Sequence, residues 1–216
     1  MKSQDFTNFV GLLHSFNFRN MNKSWLSISL VCLWGWSLSA QETLIYLNNP
    51  SFEGDTPQDA TVPANWHTCK MGTTPDILPG PWGVYQDPSE GETFVGLITR
   101  LDGSWESIGQ RTSEPLVPGE CYSLSLDLAH AKNYSGYNSP VKLRVLGGTV
   151  KCARDQVLEV TDFVEHEDWK TYTLKFVPKK EINYIIIEAF YQDTKFAYKG
   201  NILIDNIRPI KKCIRA

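Results

Sequence analysis

Two carboxylates near opposite ends of the chain are the side chains that the sequence best places to bind an ion. Glu53 lies in the segment 48–54, and Asp205 lies in the segment 200–207. Segments 44–47 and 200–207 have the apolar residues of strands, and pairing of the first strand with the last would bring the two acids together. Oxygen ligands suit a hard cation such as Ca²⁺, so the pair predicts a structural calcium site. The alternative is that Glu53 is a solvated residue at a strand end and that Asp205 forms a turn.

The sequence contains no constellation that is typical of an enzyme active site. After residue 40 the histidines are His67, His130 and His166, and no two of them have the spacing of a metal-binding pair. The sequence also lacks a nucleophile elbow, a zinc-protease motif and a phosphate-binding glycine loop. Acidic residues are so numerous that a carboxylate pair for glycoside hydrolysis can always be nominated, which makes such a pair uninformative. We therefore predict a non-catalytic protein, with a glycoside hydrolase or polysaccharide lyase as the less favoured alternative.

The elements that must position these residues are strands. Apolar and polar residues alternate most clearly over residues 93–99, 122–128 and 169–177, and turn residues separate these segments. Residues 184–191 are more uniformly apolar, as expected of a deeply buried strand. Helical periodicity is scarce, and residues 155–160 are predicted to hold one helical turn at most. Many short strands separated by turns predict an all-β, antiparallel β-sandwich in a single domain.

A series of short motifs extends along the chain from residue 44 to residue 207. In chain order they are Asn-Pro-Ser-Phe-Glu (49–53), Val-Pro-Ala-Asn-Trp (62–66), Glu-Gly-Glu-Thr-Phe-Val-Gly-Leu (90–97), Glu-Ser-Ile-Gly-Gln (106–110), Leu-Val-Pro-Gly-Glu-Cys-Tyr-Ser-Leu-Ser (116–125), Asp-Trp-Lys-Thr-Tyr-Thr-Leu-Lys-Phe (168–176) and Ile-Asp-Asn-Ile (204–207). This order resembles the galactose-binding-domain-like β-sandwiches, which have the jelly-roll fold of many carbohydrate-binding modules of secreted bacterial proteins. In that family a structural calcium ion commonly ties the first strand to the last, which is what the resemblance implies for Glu53 and Asp205.

The resemblance implies carbohydrate as the ligand, and aromatic residues in predicted loops are the candidate contacts. A sugar ring presents an apolar C–H face that can stack on an exposed Trp or Tyr, while amide, acid or Arg side chains bind its hydroxyl groups. The candidate ligand-binding residues are Trp82, Tyr85, Arg100, Trp105, Tyr134 and Tyr137. Four other aromatic residues are predicted to belong to the core, namely Trp66, Trp169, Tyr172 and Phe176.

The alternative function is a protein-interaction or assembly module of the cell envelope that has the same fold and binds no sugar. A contiguous apolar surface patch would favour this alternative, whereas a cleft with aromatic and polar walls would favour carbohydrate. Nucleic acid is not an expected partner. The chain has 21 Lys and Arg and 24 Asp and Glu, and residues 1–40 hold three of the basic and one of the acidic residues, which leaves a net charge of −5 on the remainder. Nucleic-acid binding calls for a basic face instead.

Residues 21–40 have the pattern of a secretory signal peptide. A basic start at Lys23 precedes an apolar block over residues 25–36 and a small-residue exit at residues 37–40. The apolar block is too short for a transmembrane helix, so we predict no transmembrane segment in the mature protein. The pattern also fits translation from Met21, with residues 1–20 as a misassigned upstream segment. We predict a mature domain over residues 41–216 that is secreted or held at the cell surface.

Four cysteines follow the leader, namely Cys69, Cys121, Cys152 and Cys213. An even number in an exported protein predicts two disulfides, for which three connectivities exist. If residues 122–128 and 141–146 formed an antiparallel hairpin around the loop at 133–140, Cys121 would lie opposite a residue near position 150. This arrangement predicts a Cys121–Cys152 bond and leaves Cys69 and Cys213 as the second pair.

Overall fold

The computed structural model describes residues 43–70, 72–191 and 196–213, so the predicted leader and upstream segment lie outside the described residues. The described strands are β1 (Leu44–Ile45), β2 (Asp76–Leu78), β3 (Phe94–Thr99), β4 (Ser107–Leu116), β5 (Tyr122–Ala129), β6 (Ser139–Pro140), β7 (Lys142–Gly148), β8 (Gln156–Val160), β9 (Lys170–Phe176), β10 (Ile182–Phe190), β11 (Gly200–Asp205) and β12 (Ile210–Lys212). A short 3₁₀ turn, Pro81–Gly83, follows β2. Within these residues, no helix is long and apolar enough to cross a membrane.

The strands form two sheets. Sheet A has the order β1-β12-β5-β11-β3-β2, with β9 paired to β5 and β6 paired to β11. Sheet B has the order β4-β10-β7-β8. Strands β6 and β11 run parallel, and the other pairings within the described sheets are antiparallel. The predicted all-β, antiparallel jelly-roll sandwich is confirmed.

The apolar core lies between the two sheets. On β5, Leu124, Leu126 and Leu128 are fully buried in the core, and Ile185 and Ile187 on β10 belong to the same cluster. Successive side chains of a strand point to opposite faces, so each of these series marks the inner face of its sheet. Complete burial of a Leu or Ile side chain contributes about 2 kcal/mol relative to exposure, and a slip of one residue would expose the whole series.

Of the four aromatic residues that were predicted to belong to the core, two are buried in it and two are half-buried beside it. Trp66 and Phe176 are buried in the main cluster. Tyr172 and Trp169 are half-buried and pack against core clusters from the side.

A strap, residues 67–70 and 72–74, lies against the outer face of sheet B. It begins where His67 pairs with Gly109 on the free edge of β4, and it ends where Thr74 hydrogen-bonds to Glu106. Between these points Cys69 is bonded to Cys152 in the turn between β7 and β8. The outer face of a sheet is ordinarily exposed, but Glu188 of β10 is fully buried on this face.

The structure pairs Cys69 with Cys152 and Cys121 with Cys213, so the predicted Cys121–Cys152 bond is wrong and the second pair that it left open does not form. The predicted hairpin does not exist, because β5 belongs to sheet A and β7 belongs to sheet B. In sheet A, β5 pairs with β9, β11 and β12, and β12 brings Cys213 next to the start of β5. There the Cys213 N–H donates to the Cys121 carbonyl oxygen at 2.9 Å.

Residues 155–160, for which the sequence predicts one helical turn at most, contain no helical turn. Residues Gln156–Val160 form strand β8, which pairs with β7 at the edge of sheet B. Leu158 reaches the core cluster from this edge strand, so burial against the sandwich decides the local structure.

Candidate functional site

The aromatic loop, residues 79–86, presents two large rings to solvent. Trp82 is 46% exposed and Tyr85 is 80% exposed. Trp82 has a φ of 58°, in the left-handed region that non-glycine residues seldom adopt. The turn is closed by a hydrogen bond of 2.6 Å from Gly80 N–H to the Val84 carbonyl oxygen, and the Val84 side chain is buried. The loop therefore projects both rings outward from an anchored base.

Each of the two rings borders a cleft. The Tyr85 cleft has a volume of about 270 Å³, and the side chains of Gln86, Lys132 and Asn133 contribute to its wall. The Trp82 cleft has a volume of about 370 Å³ and is lined by residues 57–59, 81 and 82, which include Gln58 and Asp59. Both clefts combine one aromatic wall with an amide and a charged group. Such a combination can bind the apolar face and the hydroxyl groups of a small polar ligand.

Asp76 of β2 lies near the Trp82 side chain. It is 3% exposed and accepts hydrogen bonds from Tyr134 Oη at 2.5 Å and from Ala60 N at 2.8 Å. The Trp82 side chain lies close enough to this carboxylate to interact with it. Burial raises the pKa of Asp76, and the interactions with Tyr134, Ala60 and Trp82 oppose that rise. A buried acceptor thus lies near the Trp82 side chain.

Tyr134 is not available to stack on a ligand, contrary to the prediction. Its ring is 1% exposed, and the hydroxyl group lies over Gly96 of β3. A Cβ atom at Gly96 would lie 2.4 Å from Tyr134 Oη, so the ring fits only because this strand position has no side chain. Burial raises the pKa of Tyr134 well above its usual value, and the nearby Asp76 contributes to the rise. Tyr134 therefore supports the aromatic loop from within the protein.

Arg100 likewise faces into the protein, where it forms an ion pair with the fully buried Glu106. Glu106 also accepts hydrogen bonds from Thr74 Oγ1 at 2.8 Å and from Ile98 N at 3.1 Å. Burial raises the pKa of Glu106 to about 7, and the nearby Asp76 adds to this rise, whereas Thr74 and Arg100 oppose it. The guanidinium group of Arg100 thus acts as a counter-ion, and its predicted role in ligand binding is not supported by its contacts.

The last two predicted residues lie away from the aromatic loop clefts. Trp105 is half-buried on the sheet B side, where its ring meets Phe190 edge-on at 6.0 Å and Lys70 Nζ lies 5.5 Å from the ring centre. Tyr137 is half-buried beside the cluster that contains Tyr134, with Lys199 Nζ 4.9 Å from its ring centre. The six predicted residues therefore separate into exposed rings, buried supports and half-buried packing residues.

Sequence reasoning missed the buried acids that organise these regions. Asp76 and Glu106 support the aromatic loop and the adjoining strands, and Glu188 on sheet B forms ion pairs with Arg144 and Arg154. A signal was present for Glu188, because this acid interrupts an apolar run of its strand. An acid in such a position is almost always buried with a partner.

Glu53 and Asp205 approach the same turn, but the predicted pairing of the first strand with the strand of Asp205 is wrong, because β1 pairs with β12 and β11 pairs with β3 and β5. Asp205 is fully buried, and its Oδ2 accepts hydrogen bonds from Ser89 N at 2.8 Å and Glu90 N at 2.9 Å. Glu53 Oε1 accepts hydrogen bonds from the N–H groups of residues 92 and 93 at 3.0 and 3.1 Å. Burial raises the pKa of Asp205 to about 7, and the negative charge of Glu53 contributes to the rise.

This acid pair fits a hard cation in charge and in donor type. Asp205 is buried and Glu53 is half-buried, and a bound cation would relieve the repulsion between the two carboxylates. Across residues 43–70, 72–191 and 196–213, no third Asp, Glu, His or Cys joins them within metal-binding distance. A calcium ion would therefore need main-chain or water oxygens to complete its shell.

No protein-family model matches the sequence, and no curated protein sequence matches it. Solved structures do match the fold. A cyclase from Fischerella sp. TAU is 16% identical, and the match covers 81% of this chain and 100% of that chain with a TM-score of 0.54. The fold is a shared one.

Two other solved structures are similar to parts of the chain. The arabinose-bound α-L-arabinofuranosidase MgGH51 is 16% identical, and the match covers 78% of this chain and 26% of that chain with a TM-score of 0.54. The xylan-binding domain CBM22-1 of Xyn10C from Paenibacillus barcinonensis is 14% identical, with 81% and 97% coverage and a TM-score of 0.49. At these identities the likeness concerns the fold alone.

Proposed function

We propose that the protein is an exported, non-catalytic carbohydrate-binding domain whose binding site is the aromatic loop. The observation that carries the proposal is the exposure of Trp82 and Tyr85 on one anchored turn, each beside a cleft with polar walls. The ligand class comes from the motif resemblance. The two internal disulfides agree with export, because such bonds persist in oxidising compartments.

The support beneath Trp82 favours binding because it lowers the entropy cost of association. A flexible side chain loses about 0.5–1.5 kcal/mol when a ligand immobilises it. Trp82 is already restrained by the closed turn that carries it, so less of this cost remains at binding. Tyr85 is less restrained and more exposed, so it is the adaptable partner of the pair.

The polar groups of the two clefts supply selectivity. Side-chain amides such as those of Gln58, Gln86 and Asn133 can donate to and accept from hydroxyl groups at once. Lys132 in one cleft and Asp59 in the other have opposite charges. The clefts are therefore suited to different positions along a polysaccharide rather than to two copies of one sugar.

The experiment that tests this function is a glycan-array screen of the purified protein, with circular dichroism to show that it is folded. We expect saturable binding to a defined set of glycans with related structures. A folded protein that binds none of a broad panel of glycans would overturn the proposal.

We also propose that Glu53 and Asp205 hold a structural calcium ion that links the first and last parts of the sandwich. Added calcium is then expected to raise the melting temperature, since a ligand present at about 1,000 times its Kd stabilises by roughly 4 kcal/mol. Asp205→Asn should abolish this calcium effect. The exposed Asp102→Asn variant is the matched control and should keep it. An identical calcium response in the Asp205 variant, or no response in the native protein, would contradict the site.

A further inference from the structure

The strap meets the turn between β7 and β8 at a cluster of three groups that bind soft metal ions. One ring nitrogen of His67 and the sulfur atoms of Cys69 and Cys152 all lie within 4.8 Å of one another. In the described part of the chain, this is the one group of three or more His, Cys, Asp or Glu side chains whose donor atoms come so close. The two sulfur atoms form a disulfide, so neither is a thiolate that could bind a metal.

His67 is held rigidly beside these sulfur atoms. The main-chain N–H of His67 donates to the Gly109 carbonyl oxygen at 3.0 Å, and the His67 carbonyl oxygen accepts from Gly109 N at 2.8 Å. The imidazole ring contacts Tyr184 edge-on at 6.2 Å, and a Cβ atom at Gly109 would lie 3.1 Å from Nε2. Position 109 therefore needs a small residue for the ring to lie where it does.

The His67 ring also has unused binding capacity. Its Nε2 atom is buried and has no hydrogen-bond partner among the described residues. A buried polar atom without a partner is uncommon in a folded protein and calls for an explanation.

The distances among the three donor atoms suit a tetrahedral metal ion once the disulfide bond is broken. Zinc binds sulfur at about 2.3 Å and imidazole nitrogen at about 2.0 Å, which places neighbouring ligand atoms about 3.5–3.8 Å apart. The three donor atoms already lie within 4.8 Å, so side-chain rotations are sufficient to complete the set. The group is half-buried, which leaves room for a water molecule as the fourth ligand.

We propose that reduction of the Cys69–Cys152 disulfide converts this cluster into a binding site for a thiophilic divalent cation such as Zn²⁺, with His67, Cys69 and Cys152 as ligands. A phosphine reductant and water break the S–S bond, and the phosphine is oxidised to its oxide while two thiols form. The metal then replaces the two thiol protons, which pass to solvent. The strap is thereby held to the β7–β8 turn in both oxidation states. This inference does not depend on carbohydrate binding.

The second disulfide is an internal control for the proposal. Cys121 and Cys213 are also a reducible pair, but no third metal-binding side chain in the described residues lies with them at the same separation. Reduction therefore produces one three-ligand site and one pair of thiols in the same molecule. A tetrahedral metal complex is expected at the first position only.

The experiment is a Co²⁺ titration of the phosphine-reduced protein, followed by absorption spectroscopy. We expect one equivalent of cobalt to give thiolate-to-metal charge transfer and the strong d–d bands of tetrahedral coordination, and Zn²⁺ should displace it. His67→Gln should weaken the affinity at least tenfold. The double variant Cys69→Ser, Cys152→Ser should give no such bands, although Cys121 and Cys213 remain.

A second measurement keeps the proposal testable if the reduced chain loses stability. The melting temperature of the reduced native protein should rise when Zn²⁺ is added, and that of the reduced His67→Gln protein should rise much less. The proposal is overturned if the reduced protein gives no tetrahedral cobalt spectrum. It is equally overturned if the His67→Gln protein matches the native one in cobalt affinity and in its stabilisation by zinc.

Discussion

Replacement of Arg100 by Met is expected to lower the free energy of unfolding by about 3 kcal/mol at pH 9 and by much less at pH 5, because it leaves the buried Glu106 without its counter-ion. Arg100 is the cation that pairs with Glu106, and the carboxylate is fully buried. The Glu106 pKa of about 7 lies above the ordinary value of 4.5, so the folded state favours the protonated acid. In the native protein, stability associated with this group therefore falls as pH rises from about 4.5 to 7.

The substitution moves this pKa higher still, since Arg100 opposes the rise caused by burial. The loss of stability must then grow as pH passes through 7, and it should be small at pH 5, where Glu106 is protonated with or without Arg100. Chemical denaturation at the two pH values measures the difference. Arg100→Met combined with Glu106→Gln should recover part of the loss at pH 9, because no buried charge remains.

Two results would contradict this account of Arg100. One is a loss of stability that is equal at pH 5 and pH 9, which would show that packing alone is involved. The other is a loss of glycan binding at pH 5 in a folded Arg100→Met protein, which would support the ligand-binding role that the sequence predicted for Arg100. Arg111→Met is the matched control, since Arg111 is an exposed arginine on β4, and it should change stability by less than about 0.5 kcal/mol.

The second large effect is expected at the aromatic loop, where Trp82→Ala should weaken glycan binding at least tenfold, or by about 1.4 kcal/mol. The substitution removes the indole ring, which borders the larger cleft and interacts with Asp76. Tyr85→Ala should weaken binding to a smaller extent, because its ring is 80% exposed and less restrained. Titration calorimetry with a glycan identified on the array measures both effects.

The matched control for these variants is Tyr46→Ala. Tyr46 is 52% exposed next to β1, so it is an exposed aromatic residue outside the proposed site. Its removal should leave affinity unchanged. Equal losses from Tyr46→Ala and Trp82→Ala would indicate a non-specific effect of exposed rings and would contradict a single site in the aromatic loop.

Asp76→Asn separates the support of Trp82 from direct contact with ligand. Asn keeps an acceptor for Tyr134 but removes the charge, and Asp76 is too deeply buried to meet a ligand itself. Its effect on affinity should therefore be smaller than that of Trp82→Ala and should follow the mobility of the indole ring.

The strands that the sequence predicted well are those with one face in the core. Residues 122–128 and 169–177 alternate because every second side chain enters the apolar cluster, and both form strands in sheet A. Strand β8 was missed because it is short and at an edge, and its conformation depends on pairing with β7. Such a partner is distant in sequence and leaves no local signal.

The disulfides could not be predicted for a related reason. The spacing of cysteines does not record which strands pair, and the hairpin assumption placed β5 and β7 in one sheet when they lie in two. Cys121 meets Cys213 because the end of the chain returns to β5. The connectivity is thus a property of the sheet order rather than of local sequence.

The candidate site was predictable in part, since turn residues correctly indicated that Trp82 and Tyr85 are exposed. The same reasoning failed for Tyr134, because a loop position does not determine where a side chain points. Its ring turns inward over Gly96, a space that exists only in the folded sheet. Arg100 failed similarly, because its partner Glu106 becomes buried only when β3 and β4 have packed.

We propose that the ligand contacts Trp82. The most direct test follows the indole N–H resonance of Trp82 in a ¹⁵N–¹H correlation spectrum while a glycan that binds the protein is titrated in. The account predicts a saturable shift of this resonance. The indole resonance of Trp66, whose N–H donates to the Asn49 carbonyl oxygen at 3.0 Å, should stay unchanged. A glycan that binds, shifts the Trp105 resonance and leaves Trp82 unaffected would contradict the account and move the site to the outer face of sheet B.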